Sequence, residues 1–232
     1  CARSTKSQAS DIPPNSFSLF GTPRPIAMAK PPQFWNDRYD TDAYVYGTAP
    51  NAFVEQATQQ WLKVPQDVID LGAGEGRNAV FLAQQGHTVT AVDASPVGLR
   101  KATQLAQETG VDLTVETADV SDWHPARTWD AVVVTFLHLA PEAQPGLYRT
   151  IQSALRPGGV LIAEWFRPEQ ITEGYDSGGP PSVAMMVTPD ALRTAFPSAG
   201  IEHLEAAVPT LDEGPHHSGP GATVQFVWRK ES

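Results

Sequence analysis

Between Val68 and Leu71 an apolar run carries a carboxylate, Asp70, and leads into glycines at 72, 74 and 76, after which a stretch of helical period begins at Arg77. Glycine lets backbone approach a ligand closely, and a helix starting there offers unpaired N–H groups at the carboxyl end of the preceding strand. The segment suits a small-molecule ligand. A dinucleotide turn requires G-x-G-x-x-G, and Arg77 stands where its third glycine belongs. Asp70 would face a pyrophosphate unfavourably but would pair with an ammonium group. Asp93 closes the next apolar run, about 20 residues after the glycines, where a carboxylate accepts hydrogen bonds from ribose hydroxyls. Asp119 follows the third run and would accept from an exocyclic amine such as that of adenine. Together the three carboxylates describe a cation-bearing adenosine.

A second set of residues could move a proton or enclose an apolar ligand. His138 lies in the segment Thr135-Phe136-Leu137-His138-Leu139 after the fourth run, and His216 and His217 lie with Glu213 in a glycine- and proline-flanked loop near the end. His138 and His217 are candidate general bases, with His217 preferred; the plainer reading of each is a loop histidine bonded to backbone or solvent. A metal site from Glu213, His216 and His217 is disfavoured, because adjacent histidines point apart and no further strong ligand is spaced to join them. Trp35, Tyr39 and Tyr46 precede the first run and would shelter a cation or cover an acceptor, with Phe136 as wall. Glu164, Trp165 and Phe166 are expected just beyond the fifth strand, bordering the acceptor, with Gly178-Gly179-Pro180-Pro181 as a flexible flap.

The elements that must position these residues alternate between β-rich runs and helical stretches, the pattern of a mostly parallel sheet covered by helices. Strands are predicted at 68–71, 88–92, 113–116, 131–135, 160–165, 201–208 and 223–228, and helices at 52–62, 77–85, 96–109, 141–155 and 189–196. Ser95 before Pro96 and Thr188 before Pro189 read as N-caps. Only residues 209–221 separate the last two strands, which predicts an antiparallel hairpin with a long loop. The fold class is therefore α/β: a Rossmann-like, seven-stranded, mostly parallel sheet with an antiparallel last strand and helices on both faces. Residues 1–31 contain Pro13, Pro14, Pro23, Pro25 and Pro31 without helical or strand period and read as an extended tail, followed by one domain over 32–232.

Composition limits the partners. The chain has 232 residues, 41% hydrophobic and 18% charged, enough for a sizeable core. A net charge of −10 disfavours a phosphate backbone or an anionic lipid surface as partner. No apolar run reaches the roughly 18 residues of a membrane span. A single cysteine, Cys1, excludes an intrachain disulfide and fits a cytoplasmic setting. It stands where Met would begin a chain, so a fragment or processed form is expected, and a lipidated N-terminus is disfavoured. A monomer or weak dimer is expected.

Asp70-Leu71-Gly72-Ala73-Gly74-Glu75-Gly76, followed by Asp93 and Asp119, resembles the cofactor site of class I S-adenosylmethionine-dependent methyltransferases. Further stretches are similar to the small-molecule branch that includes tellurite-resistance and thiopurine methyltransferases: Phe34–Tyr39, Tyr46-Gly47, Gly76-Arg77-Asn78-Ala79, Gly86-His87, Leu155–Gly159 and Glu213–Gly219. The resemblance covers about residues 33–230. It implies S-adenosyl-L-methionine as cofactor, with Asp70, Gly72, Gly74 and Gly76 around the methionine portion, Asp93 and Ala94 at the ribose, Asp119 and Val120 at the adenine, and Thr135 beside them. Beside it, the residues themselves suggest an acceptor pocket formed by Trp35, Tyr39, Tyr46, Phe136, Trp165 and His216, with His217 or His138 as base. In the tellurite-resistance members an Arg follows the late-loop His; here Ser218 follows His217, so tellurite specificity does not carry over. The activity implied is methyl transfer to a small S, O, N or metalloid nucleophile. An NAD-dependent oxidoreductase and a catalytically silent S-adenosylmethionine-binding protein are the alternatives.

Overall fold

The computed structural model describes Cys1, residues 30–63 and residues 65–232. Most of the expected tail lies outside the described residues; Lys30 and Pro31, at its end, lead directly into a helix, α1 (Pro32–Tyr39), that the sequence reading did not anticipate. Its signal is Pro32 at the first helical position, which sits inconspicuously among neighbouring prolines.

The main sheet contains β1 (Asp67–Leu71), β2 (Thr88–Asp93), β3 (Thr114–Thr117), β4 (Trp129–Thr135), β5 (Leu155–Phe166), β6 (Ile201–Ala207) and β9 (Thr223–Arg229), in the order β3-β2-β1-β4-β5-β9-β6. The first five strands run parallel, and β9 is antiparallel to both β5 and β6, as the short final connection requires. That connection also holds a small hairpin, β7 (Thr210–Asp212) with β8 (Ser218–Pro220), which closes the loop carrying the late histidines.

Residue alternation along the strands fills both faces. On one face Val68, Ala131, Val133, Val160 and Ile162 pack against α2 (Ala52–Trp61), α3 (Arg77–Gln84) and α4 (Pro96–Thr109) through Val54, Leu82 and Leu99. On the other, Ile69, Leu71, Val132, Val134, Leu161 and Ala163 meet Ile151 of α5 (Gln144–Ala154) and, beyond the short α6 (Glu169–Thr172) in sequence, Leu192 and Phe196 at α7 (Pro189–Ala195). Ser95 caps α4 by accepting the Gly98 N–H at 3.1 Å, and Thr188 caps α7 by accepting that of Ala191 at 3.1 Å.

Two boundaries differ in ways that affect the site. The helix expected at 141–155 begins only at Gln144, because residues 141–143 form a turn, and it ends at Ala154, since Leu155 already pairs with Trp129 as the first residue of β5. Strand β5 continues through Phe166, so Glu164, Trp165 and Phe166 belong to the sheet rather than to a loop beyond it.

Candidate active site

The carboxyl ends of β1, β2 and β4 open onto a cleft of about 590 Å³. Its floor is the turn after β1, where Gly72 and Gly74 have φ of +75° and +54°, a backbone that side chains rarely adopt. A Cβ on Gly74 would stand 2.7 Å from the Tyr39 hydroxyl, so the turn and α1 fit only with glycine there. Asp93 at the end of β2 fixes the turn by accepting the Gly74 N–H at 2.8 Å, and its other oxygen accepts that of Ser95 at 2.8 Å. Burial raises its pKa, and these two bonds offset part of the rise. Asp119 is exposed at the rim, where one oxygen accepts both the N–H and the hydroxyl of Ser121.

Gly72, Gly74, Asp93, Ala94, Asp119, Val120 and Thr135 all line the cleft, as do Trp35, Tyr39, Tyr46, Phe136, His138, His216 and His217. Four expected contacts do not; one of them, Glu164, is 1% exposed and accepts from Asn51, Thr223 and Gln225 behind the cleft. Gly76 is buried behind the turn, and a Cβ there would lie 2.5 Å from the Ala102 Cβ; its function is to let α3 approach α4. Trp165 points to the opposite face of β5 from Phe166, into the main core, and its indole N–H donates to the Leu137 carbonyl at 3.0 Å. Asp70 lies beneath the turn, 1% exposed, with Oδ2 lacking any partner. Desolvation pushes its pKa up to about 7, against the opposing pull of the nearby Arg77 charge. A buried carboxyl oxygen in want of a donor fits the ammonium group of an amino-acid ligand, and the glycine floor and paired rim carboxylates fit the rest of an S-adenosylmethionine molecule.

Near the late loop the structure separates the two histidines proposed as base. His138 spends both ring nitrogens on backbone: Nε2 accepts the Phe166 N–H at 3.2 Å, and Nδ1 lies 3.1 Å from the Met185 carbonyl. This arrangement holds it neutral, and desolvation pushes its pKa down to about 4. With its lone pair engaged, His138 is a structural link rather than a base. His217 is buried against Phe136, Phe166 and Tyr46, with ring centroids 4.5, 5.3 and 4.7 Å away. Its Nδ1 faces Glu213 Oε2 at 3.4 Å, which leaves Nε2 as the ring atom able to take a proton. His216, next to it, is exposed at the rim. Among the described residues no three His, Cys, Asp or Glu side chains converge as a metal-ligand group.

Several lining residues carried no sequence signal of their role. Arg77 donates to Glu213 Oε2 at 2.7 Å across a separation of 136 residues. Glu75 accepts the Val45 N–H at 2.7 Å and pairs with Lys101, tying the segment before α2 over the cleft. Phe136 has φ of +52°, the left-handed region, which costs a bulky side chain energy and turns its ring toward His217. The expected flap at 178–181 does line the cleft but is held from below: the buried Gln170 donates to Ser177 Oγ and to the Gly178 carbonyl, both at 3.0 Å.

A seven-stranded sheet in this order, with a glycine turn and acidic strand ends at its carboxyl rim, defines the class I methyltransferase fold. Residues 68–159 match the family described as Methyltransferase domain. Over 124 residues it is 32% identical to a 2-heptyl-1-hydroxyquinolin-4(1H)-one methyltransferase of Mycobacteroides abscessus, covering 52% of this chain and 55% of that protein. The crystal structure of TehB from Haemophilus influenzae superposes with a TM-score of 0.64 at 17% identity, covering 86% of this chain and 66% of the other. Coclaurine N-methyltransferase, bound to N-methylheliamine and SAH, superposes with a TM-score of 0.59 at 14% identity, covering 85% and 81%. The chain spans about half the length, or less, of the curated relatives it matches. No helix of the described residues is long and apolar enough to cross a membrane.

Proposed function

We propose that the protein transfers a methyl group from S-adenosylmethionine to a small organic acceptor whose nucleophile carries a proton, with His217 taking that proton. When bound, S-adenosylmethionine supplies an electrophilic methyl group on a sulfonium. The Gly72 and Gly74 backbone would hold the methionine chain, with Asp70 beneath the turn as counter-charge to the ammonium end, Asp93 and Ala94 would hold the ribose, and Asp119 with Val120 the adenine, while Thr135 closes the cleft beside them. Tyr46, Phe136 and Phe166 form the wall against which the acceptor would lie, and Trp35 and Tyr39 cover the cofactor end.

The observation that carries this reading is His217. It sits in an aromatic wall on the same cleft as the glycine turn, and its Nδ1 faces a carboxylate that leaves Nε2 to act. Methyl transfer is an in-line displacement that needs alignment, exclusion of water and removal of one proton, and this end of the cleft supplies all three. The relative named for a hydroxyquinolinone supports a small organic acceptor over a macromolecular one.

The test is calorimetric titration with S-adenosylhomocysteine, with NADH in parallel, followed by a screen of small phenols, N-hydroxy heterocycles, thiols and amines using labelled S-adenosylmethionine. Saturable binding of S-adenosylhomocysteine alone, with label transferred to one acceptor class, supports the proposal. Binding of NADH instead would move the site to hydride transfer, and cofactor binding with no transfer across the panel would leave a silent binding protein.

A further inference from the structure

The buried side chains behind His217 form a network that neither the sequence motifs nor the fold explains. Asn51, 1% exposed, precedes α2, and each of its polar groups is committed. Its Oδ1 accepts the Val54 N–H at 2.9 Å as N-cap, and its backbone N–H donates to Asn78 Oδ1 at 2.8 Å. Its amide nitrogen donates both to Glu213 Oε1 at 2.8 Å and to Glu164 Oε2 at 2.6 Å. A flipped amide would set its oxygen against two carboxylates, so the chemistry fixes which end is nitrogen. Glu164 is completed by Thr223 and Gln225, whose side chains both donate to Oε1. Glu213 is completed by Arg77 and His217, which both face Oε2.

We infer that Asn51 is a positioning residue for His217: by holding Oε1 of Glu213, it aims Oε2 at Nδ1 and so fixes the imidazole with Nε2 toward the cleft. The inference rests on the reading of His217 as the base. Without the amide, Glu213 would be held only at Oε2 and could rotate about its side-chain bonds on a loop whose glycine, Gly214, closely approaches Val45 and Gly47. Glu213 also divides its charge among three donors. Burial alone would raise its pKa, but the His217 and Arg77 contacts outweigh that and hold it below the ordinary value. His217 titrates lower than usual through burial, with Arg77 from α3 and the neighbouring His216 adding to the effect and Glu213 opposing it. His138, from the segment after β4, also faces it, as does the Tyr46 ring.

The experiment is an imidazole NMR titration of the full chain labelled at histidine, with the His217 signal assigned by its loss in His217→Gln. Wild type should show His217 as a single Nδ1–H tautomer. Asn51→Ser keeps an N-cap but removes the two amide donors. In that variant the tautomers should mix and the His217 pKa should fall by about one pH unit, because Glu213, no longer held against Nδ1, ceases to favour the imidazolium. A variant with wild-type melting temperature, tautomer and titration midpoint would overturn the inference. So would a wild-type His217 protonated at Nε2, a result that needs no variant to fold. None of these readouts involves cofactor or turnover, so failure of the methyl-transfer reading would appear separately, in the calorimetry and acceptor screen.

Discussion

Asp93 holds the Gly74 N–H at 2.8 Å, so one carboxylate both shapes the glycine turn and forms the rim to which a ribose would bond. Asp93→Ala is expected to weaken S-adenosylhomocysteine binding by about 1–3 kcal/mol through lost hydrogen bonds to a charged acceptor. Calorimetric titration measures this directly. Unchanged affinity would remove Asp93 from the ribose site.

His217→Gln should lower turnover on an acceptor found by screening by about 10²–10⁴-fold, the usual contribution of a positioned base. Affinity for S-adenosylhomocysteine should stay within about twofold, since the cofactor end of the cleft is built from other residues. An equal loss in both quantities would mean that His217 supports the site as a whole.

Asp70 makes stability depend on pH in an unusual direction. Its pKa is about 7 in the folded chain and near the ordinary 3.8 when unfolded. The folded state therefore binds the extra proton between those values, and stability falls as pH rises through that window. Asp70→Asn should stabilise the ligand-free protein above about pH 7 by roughly 2–4 kcal/mol, at about 1.4 kcal/mol per pKa unit, while weakening cofactor binding. Denaturant melts with and without S-adenosylhomocysteine would show the two effects opposed. A variant less stable than wild type at high pH would refute the assignment.

His138 acts in the other sense. Its folded pKa of about 4 lies below the ordinary 6.5, so the unfolded chain takes up the proton first and stability declines as pH falls from 6.5 toward 4. His138→Gln should flatten that acid slope by up to about 3 kcal/mol over the window. Parallel denaturant melts of both proteins at several pH values give the difference, and identical slopes would contradict a neutral, backbone-bonded His138.

Gly76→Ala should destabilise the protein by at least about 2 kcal/mol, because it combines a φ of +86° with a Cβ forced against Ala102. Thermal unfolding tests this. A near-neutral change would show that α3 and α4 can separate.

The rim of the cleft was legible because its residues sit where local signals converge: apolar strands end, glycines follow, and Asp93 and Asp119 come next in sequence. What sequence did not show was direction. Asp70 and Gly76 belong to the same motif as Gly72 and Gly74, yet one lies beneath the turn and the other packs a helix, and spacing alone does not separate lining from support. The error at Trp165 followed from placing it past the strand although the predicted span 160–165 already included it. Once the strand runs to Phe166, alternation puts Phe166 at the cleft and Trp165 in the core. The Arg77–Glu213 pair and the Asn51 bridge join segments more than a hundred residues apart, and no local pattern announces such contacts.

Strand β9 follows all the others in the chain, yet it lies between β5 and β6. During synthesis on the ribosome, the glycine turn and its carboxylates are complete before the loop with Glu213 and His217 emerges, and β5 waits with one bare edge until β9 arrives. The half of the cleft built on the glycine turn can thus form while the chain is still being made, whereas the half that carries His217 is a late addition timed by translation. A stall or a break before Thr223 would release a chain that still carries Glu213 and His217 but leaves β5 and β6 without the strand that joins them, prone to aggregate rather than to work slowly.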